Sequence, residues 1–330
     1  MNKEYLITLQ NLAIKRKAIY EMFFEKNDNF QASDKKEFYE YLKDKCNNYI
    51  KKNNMKKMKN KIEIPNYEEY DLAYNKALDT IDKCEKENVF IITLESEKYP
   101  KLLKTIDNKP LILYAKGNLE LLNDNDTVAV IGTREPTEKG KIFCERITEI
   151  FVKNDLTIVS GLALGCDSIA HKTCINKNGY TIGVLAHGLD YMYPRENIEL
   201  SREIINKNGL LISEYTIGEK PKKYFFVERD RIQSGISKAI CIIETNEKGG
   251  TMHTAEHAKN QKRIIGCIYV EALKDKMKIS GNIKLIEEKV AYKLSNADDI
   301  ANFIKLIKKN RKDKSEAKAN IEDVQLSIFL

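Results

Sequence analysis

The chain has 330 residues, 32% of them charged, and a formal net charge of +7. That length exceeds one small domain and can bury a full core, and the basic excess favours a polyanionic partner. No apolar run is long enough to span a bilayer, and charges scatter through residues 1–20, so neither a membrane protein nor a signal peptide is expected and a cytoplasmic location is.

Residues 1–85 lack strand signals. LITLQNLAIKRKAIYEMFF and KKEFYEYLKDKCNNYIKK place apolar residues at helical spacing, and Ser33-Asp34 reads as a helix start. A lysine-crowded stretch (Lys51, Lys52, Lys56, Lys57, Lys59, Lys61) and IEIPNYEEY separate these from a further helix, YDLAYNKALDTIDKCEKEN. The expectation is a small helical N-terminal domain over 1–85.

From Val89 the texture changes to short, continuously apolar runs: VFIITL, LILYAKG, TVAVIG, LTIVSGLA, TIGVLAHG, GLLISEY, AICIIET and RIIGCIYV. Between the later runs lie helices expected over 138–153, 166–177, 197–207, from about 229, and over 251–260. Runs without alternation are strands buried on both faces. Their alternation with helices predicts an α/β fold with a Rossmann-like, doubly wound, mostly parallel sheet over 86–302. Beyond Val270 the pattern suggests a helix, a short strand and a closing helix. Residues 303–330 then read as a basic linker (Lys308, Lys309, Arg311, Lys312, Lys314) and a C-terminal peptide.

Ligands of open α/β sheets collect beyond the carboxyl ends of the strands, which singles out Gly132, Thr133, Arg134, Ser160 and Gly161. There is no G-x-G-x-x-G after the strand and no G-x-x-x-x-G-K-[ST], so neither a dinucleotide cofactor nor P-loop chemistry is expected, and no cofactor at all is assigned. Gly132 lets the backbone approach a phosphate, and Arg134 offers a fork of donors matched to its oxygens. Asp167 can cap the helix that follows SGLALG, and His171, one turn inside it, reads as a packed or capping histidine.

KPKKYFFVERDRIQSG surrounds Tyr224, Phe225 and Phe226 with Lys220, Lys222, Lys223, Arg229 and Arg231. Cations interleaved with aromatics suit single-stranded nucleic acid, the charges for phosphate and the rings for unstacked bases. A hydrophobic turn with a solvated rim is the alternative, with the second arginine anchoring its own helix. The seven cysteines show no CxxC spacing, and His253 and His257 stand outside any H-E-x-x-H, so no metal is expected.

VAVIGTR, IVSGLALGCDSIAH, GLDYMYPREN, LLISEY with GEKP, FFVERDRIQSGIS, GGTMHTAEHA and GNIKLIEEKVAYKLSNADDI occur together and in order over residues 89–302. In this the chain resembles the DNA-processing protein A (DprA/Smf) family. The resemblance implies a homodimer that binds single-stranded DNA and helps load the RecA recombinase, without catalysis. It also implies a DNA pocket at Arg134, Arg195, Lys223 and Phe226. The chain departs from the family where FPxRNR reads FVERDR, with Val227 for proline and Asp230 for asparagine, and where GGT stands at 249–251.

QLSIF at the C-terminus resembles the short peptide that engages the DNA polymerase sliding clamp. Leu326, Ile328 and Phe329 would fill an apolar pocket, beside Gln325 and Ser327, or the segment folds back onto its own domain. Two other classes stay open. Lys248-Gly249-Gly250-Thr251 through Glu256 partly resembles the PGGxGTxxE pattern of nucleoside-monophosphate phosphoribohydrolases, with Glu256 as the catalytic carboxylate. The other is a sensor that binds a small nucleotide-derived ligand and signals through its helical domain.

Overall fold

The computed structural model describes residues 1–25, 30–53, 63–123 and 126–308. Lys56, Lys57, Lys59, Lys61, the basic stretch from 309 and the QLSIF peptide at 325–329 lie outside the described residues. The chain divides into two compact units, Met1–Glu97 with Pro110–Leu113, and Lys98–Lys109 with Tyr114–Leu330.

The first unit contains α1 (Lys3–Asn11), α2 (Arg16–Phe23), α3 (Lys35–Lys52), α4 (Tyr67–Lys86) and β1 (Phe90–Thr93). The opening apolar pattern, read as one helix, is two: the chain turns at Ala13, whose φ is 54°. Periodicity misses the break because both halves keep their apolar residues at helical spacing. α3 starts where Ser33-Asp34 predicts, with the Asp34 carboxylate accepting from the Lys36 and Glu37 amides. α4 begins earlier than Tyr70 because Asn66 and Glu69 close a capping box. Glu69 N–H donates to Asn66 Oδ1 at 2.9 Å, and Asn66 N–H donates to Glu69 Oε2 at 3.0 Å. Asn66→Ala is expected to cost this unit about 1 kcal/mol, read by urea unfolding. An unchanged midpoint would mean that the box contributes nothing. Inside, Tyr5 stacks on Phe38 with centroids 4.1 Å apart, and Phe23 and Tyr70 flank Phe38.

The second unit follows the alternation read from the sequence. After α5 (Lys101–Lys104) and β2 (Ile112–Gly117), which enters this unit at Tyr114, come β3 (Thr127–Ile131), α6 (Glu138–Lys153), β4 (Thr157–Ser160), α7 (Cys166–Asn176) and β5 (Thr181–Leu185). Then follow α8 (Ile198–Asn206), β6 (Leu210–Ser213), α9 (Lys223–Gly235), β7 (Ala239–Ile242), α10 (Thr251–Asn260) and β8 (Ile264–Ile268). α11 (Ser280–Glu287), β9 (Tyr292–Leu294) and α12 (Ala297–Lys308) close it. From β2 the sheet order is β2-β6-β5-β4-β3-β7-β8-β9, with β2 antiparallel to β6 and the other pairs parallel.

β3, β4, β5 and β7 are buried along their whole length, as their unbroken apolar runs require. Val128 and Val130 pack with Phe143, Ile147 and Phe151 of α6. The winding reverses between β3 and β7, which pair in register from Val128↔Ala239 to Ile131↔Ile242. That reversal is the switch point at which such sheets open a crevice. One helix departs from expectation: α9 starts at Lys223 rather than near 229.

Candidate functional site

A crevice of about 740 Å³ opens at the switch point. Its walls are the segment after β3 (Gly132, Thr133, Arg134), one face of α9 (Lys223, Phe226, Asp230, Gln233) and the start of α10 (Gly250, Thr251, His253).

The segment after β3 is tied down at both ends. Thr133 N–H donates to the Glu244 carbonyl at 2.8 Å, and the Thr133 carbonyl accepts from Cys166 N–H at 3.2 Å. Farther on, the buried Glu244 carboxylate accepts from Thr137 N–H (2.8 Å), the Thr137 hydroxyl (2.7 Å) and Lys278 N–H (3.2 Å). Two glycines make this close passage possible. A Cβ on Gly132 would lie 2.5 Å from Cys166 Sγ, and one on Gly165, whose φ is 76°, would lie 2.4 Å from the Arg134 carbonyl oxygen. Arg134 therefore projects from an arc fixed on either side.

Arg134 holds its guanidinium 5.4 Å from the Phe226 ring centroid, a cation–π distance. Phe226 also leans on Tyr193, centroids 5.7 Å apart. A smaller recess joins the crevice at Arg134 and Phe226, lined also by Leu164, Tyr193 and Pro194. The side chains of Arg134, Lys223 and Arg195 are exposed and have no carboxylate partner among the described residues, whereas Lys222 is paired with Glu219. Arg195 opens the short helical turn after Pro194 and is not among the residues that line the crevice.

Ser160 and Arg231 correct the reading of their segments as ligand contacts, for both turn into the fold, whereas Arg229 lines the crevice while its guanidinium bonds to the fold beneath it. Ser160 is fully buried and donates its hydroxyl to the Val130 carbonyl at 2.7 Å. Arg229 donates Nη1 to the carbonyls of Gly161 (2.7 Å) and Val184, and Nε to Asp230 Oδ1 (3.2 Å). It thus ties together the ends of β4 and β5 beneath the crevice. Arg231 donates to Glu214 Oε2 (2.6 Å), the Asn108 carbonyl (2.7 Å) and the Glu228 carbonyl (2.6 Å). Residues two apart on a helix do not share a face, so these arginines cannot serve one ligand. Gly161 is buried; its N–H donates to Asp167 Oδ2 at 3.1 Å.

Two residues escaped the sequence reading. Asn197 Nδ2 donates to the carbonyls of Leu162 (2.9 Å) and Ala163 (3.1 Å), pinning the SGLALG loop. Gln233, with its amide oriented to suit both neighbours, donates to Asp230 Oδ1 at 3.2 Å and accepts from Gly161 N–H at 2.7 Å. The YPREN motif hinted at the first; nothing local marks the second.

Burial sets the ionisation of the crevice floor. It pushes the Asp230 carboxyl up to about 6, against the opposing pull of Arg229. Burial also raises Asp167, with Arg229 again opposing. His171 is pushed down to about 3 by burial and packs neutral, its Nδ1 2.7 Å from Thr181 Oγ1.

Glu256 is exposed, accepts from Asn260 Nδ2 at 3.3 Å and is not among the lining residues. Among the described residues no group of three or more His, Cys, Asp or Glu could hold a metal ion. No described helix is long and apolar enough to cross a membrane.

Fold and crevice define a Rossmann-like α/β protein with a cationic, aromatic site at its switch point and no dinucleotide fingerprint. Residues 90–305 match the family model of DNA recombination-mediator protein A, and the chain belongs to that family. It is 36% identical over 215 residues to DNA processing protein DprA of Bacillus subtilis, covering 65% of this chain and 71% of that protein. With Protein Smf of Synechocystis it shares 38% identity over 186 residues, 56% of this chain but only 46% of that one. The X-ray structure of DprA from Streptococcus pneumoniae matches with a TM-score of 0.74 at 26% identity, over 92% of this chain and 98% of that chain. DNA processing protein A from Helicobacter pylori, whose structure describes a single-stranded DNA binding mode, matches with a TM-score of 0.58 at 32% identity, over 67% and 96%.

Proposed function

We propose that the chain binds single-stranded DNA in this crevice, protects it and assists RecA-type recombinase loading, in DNA uptake or a related DNA-processing route. The observation that carries the reading is the cluster of cations without carboxylate partners, Arg134 and Lys223 in the crevice and Arg195 at its margin, around the Phe226 ring. Cations held free of carboxylates are available to phosphates, and a ring braced by Tyr193 is a platform for an unstacked base. The single-stranded DNA binding of the Helicobacter pylori relative supports the same ligand.

In this proposal Gly132 and Thr133 admit the phosphate beside Arg134. Gly161 and the inward-turned Ser160, Arg229 and Arg231 hold the site's shape. The protein acts as a binding protein in the cytoplasm, as a homodimer. The helical domain over 1–85, the DprA-like domain from 86 and the tail with QLSIF as a sliding-clamp peptide belong to it as well; the domain runs past the expected boundary at 302 to Lys308, because Phe303, Ile304 and Ile307 of α12 are buried in its core.

The test is competition. A labelled oligothymidylate bound to the protein is challenged with unlabelled single strand, duplex of equal length, and nucleoside monophosphates. Displacement by single strand far below the duplex concentration is the expected result. Displacement by the monophosphates alone, or release of base from them, would replace this reading with the nucleotide-enzyme or nucleotide-sensor alternative.

A further inference from the structure

α9 carries Lys223, Phe226, Asp230 and Gln233 on the face that lines the crevice. Their spacings of three and four residues put them in one stripe, a cation, a ring, a carboxylate and an amide in turn. From Lys223 to Asp230 the helix rises about 10 Å, on the scale of one nucleotide from its phosphate to the far edge of its base. A strand whose phosphate meets Lys223 and whose base lies on Phe226 therefore brings a base edge to Asp230.

Asp230 is a poor neighbour for phosphate. Its side chain is 14% exposed and ion-pairs with Arg229 through Oδ1, and Gln233 donates to that same oxygen. Among the described residues no side chain or amide donates to Oδ2. The other carboxylate of the crevice, Asp167, is committed to the Gly161 and Ala163 amides. An ionised carboxylate only accepts hydrogen bonds, so a ligand group that satisfies Oδ2 has to be a donor. Bases of single strands expose their Watson–Crick edges to such readers. Guanine presents two adjacent donors there, the N1–H and the 2-amino group. Thymine presents one N–H between two carbonyl oxygens, both of which a carboxylate repels.

We infer that Asp230 reads the base seated on Phe226 and makes guanine preferred over thymine at that position. This deepens the single-strand reading above and rests on it. Arg134 and Lys223 hold the backbone whatever the sequence, and Asp230 adds the base preference.

The experiment compares an oligothymidylate with an oligomer of equal length carrying guanine at every third position, in lithium buffer to suppress four-stranded association. Both are titrated by anisotropy with the wild-type protein and with Asp230→Asn, whose amide offers a donor as well as an acceptor. The wild type is expected to bind the guanine-containing strand about tenfold tighter, and Asp230→Asn to bring the two affinities within about twofold. The ratio, unlike either affinity alone, does not move with a general loss of structure. Equal affinities in the wild type, or an unchanged ratio in Asp230→Asn while both strands bind, would overturn the inference and leave single-strand binding standing. Failure of both strands to bind either protein would remove the single-strand reading and this inference with it.

Discussion

Glu214→Ala is expected to destabilise the second unit by about 3–5 kcal/mol, measured by urea unfolding at neutral pH. The carboxylate and the Arg231 guanidinium are each about one-twentieth exposed and meet at 2.6 Å. Arg231 spends two further donors on the Asn108 and Glu228 carbonyls, so it is held in place when its partner goes. The cost is that of an uncompensated buried cation, which exceeds anything an exposed pair such as Lys222 with Glu219 could contribute. A loss below about 1 kcal/mol would show that water reaches Arg231 and that the pair is peripheral.

Asp230→Asn should have the opposite sign. Burial lifts this carboxyl from an ordinary value of 3.8 to about 6. The folded protein therefore holds the proton more tightly than the unfolded chain does. The group's contribution to stability is complete below pH 4, is lost as pH rises from about 4 to about 6, and stays lost above. The titratable or charged side chains facing it are Arg229 on its own helix, Asp167 of α7 and His253 of α10. Removing the charge is expected to stabilise the protein by on the order of 2–3 kcal/mol at pH 7.5 and by little near pH 4. Arg229 keeps its two backbone carbonyl partners in the variant, so its own burial remains compensated. Unfolding at the two pH values decides the matter. A variant less stable than wild type at pH 7.5 would mean that the Arg229–Asp230 pair outweighs the burial of the carboxylate.

The alternation of apolar runs and helices was legible from Val89 onward, and from β3 to β7 the unbroken runs mark strands buried on both faces, whereas β1 departs from that expectation with Phe90 exposed. α6 and α10 run over the residues expected of them. α9 was not legible at its start. Lys222 makes no side-chain cap, and the helix mixes cations, aromatics and carboxylates on all sides rather than carrying one apolar stripe. With its first turns read as loop, the alignment of Lys223, Phe226, Asp230 and Gln233 could not be seen, although the departure from the family's asparagine already put the charge of Asp230 near the pocket. The inward turn of Arg229 and Arg231 was hidden for another reason: residue type gives charge but not direction. Their separation of two positions already forbade a shared face. Arg134 differs, since the glycines before and after it in space force the segment into a tight arc that leaves its side chain outside.

The central claim is that Arg134 and Lys223 each hold a phosphate of a single strand. The measurement is the affinity for an oligothymidylate across a salt series, for the wild type, Arg134→Ala, Lys223→Ala and the double variant. Each substitution is expected to flatten the plot of log affinity against log salt by about 0.7, and the double variant by about 1.4. Slopes equal to that of the wild type would contradict the account, because neither cation would then be releasing counterions from bound DNA.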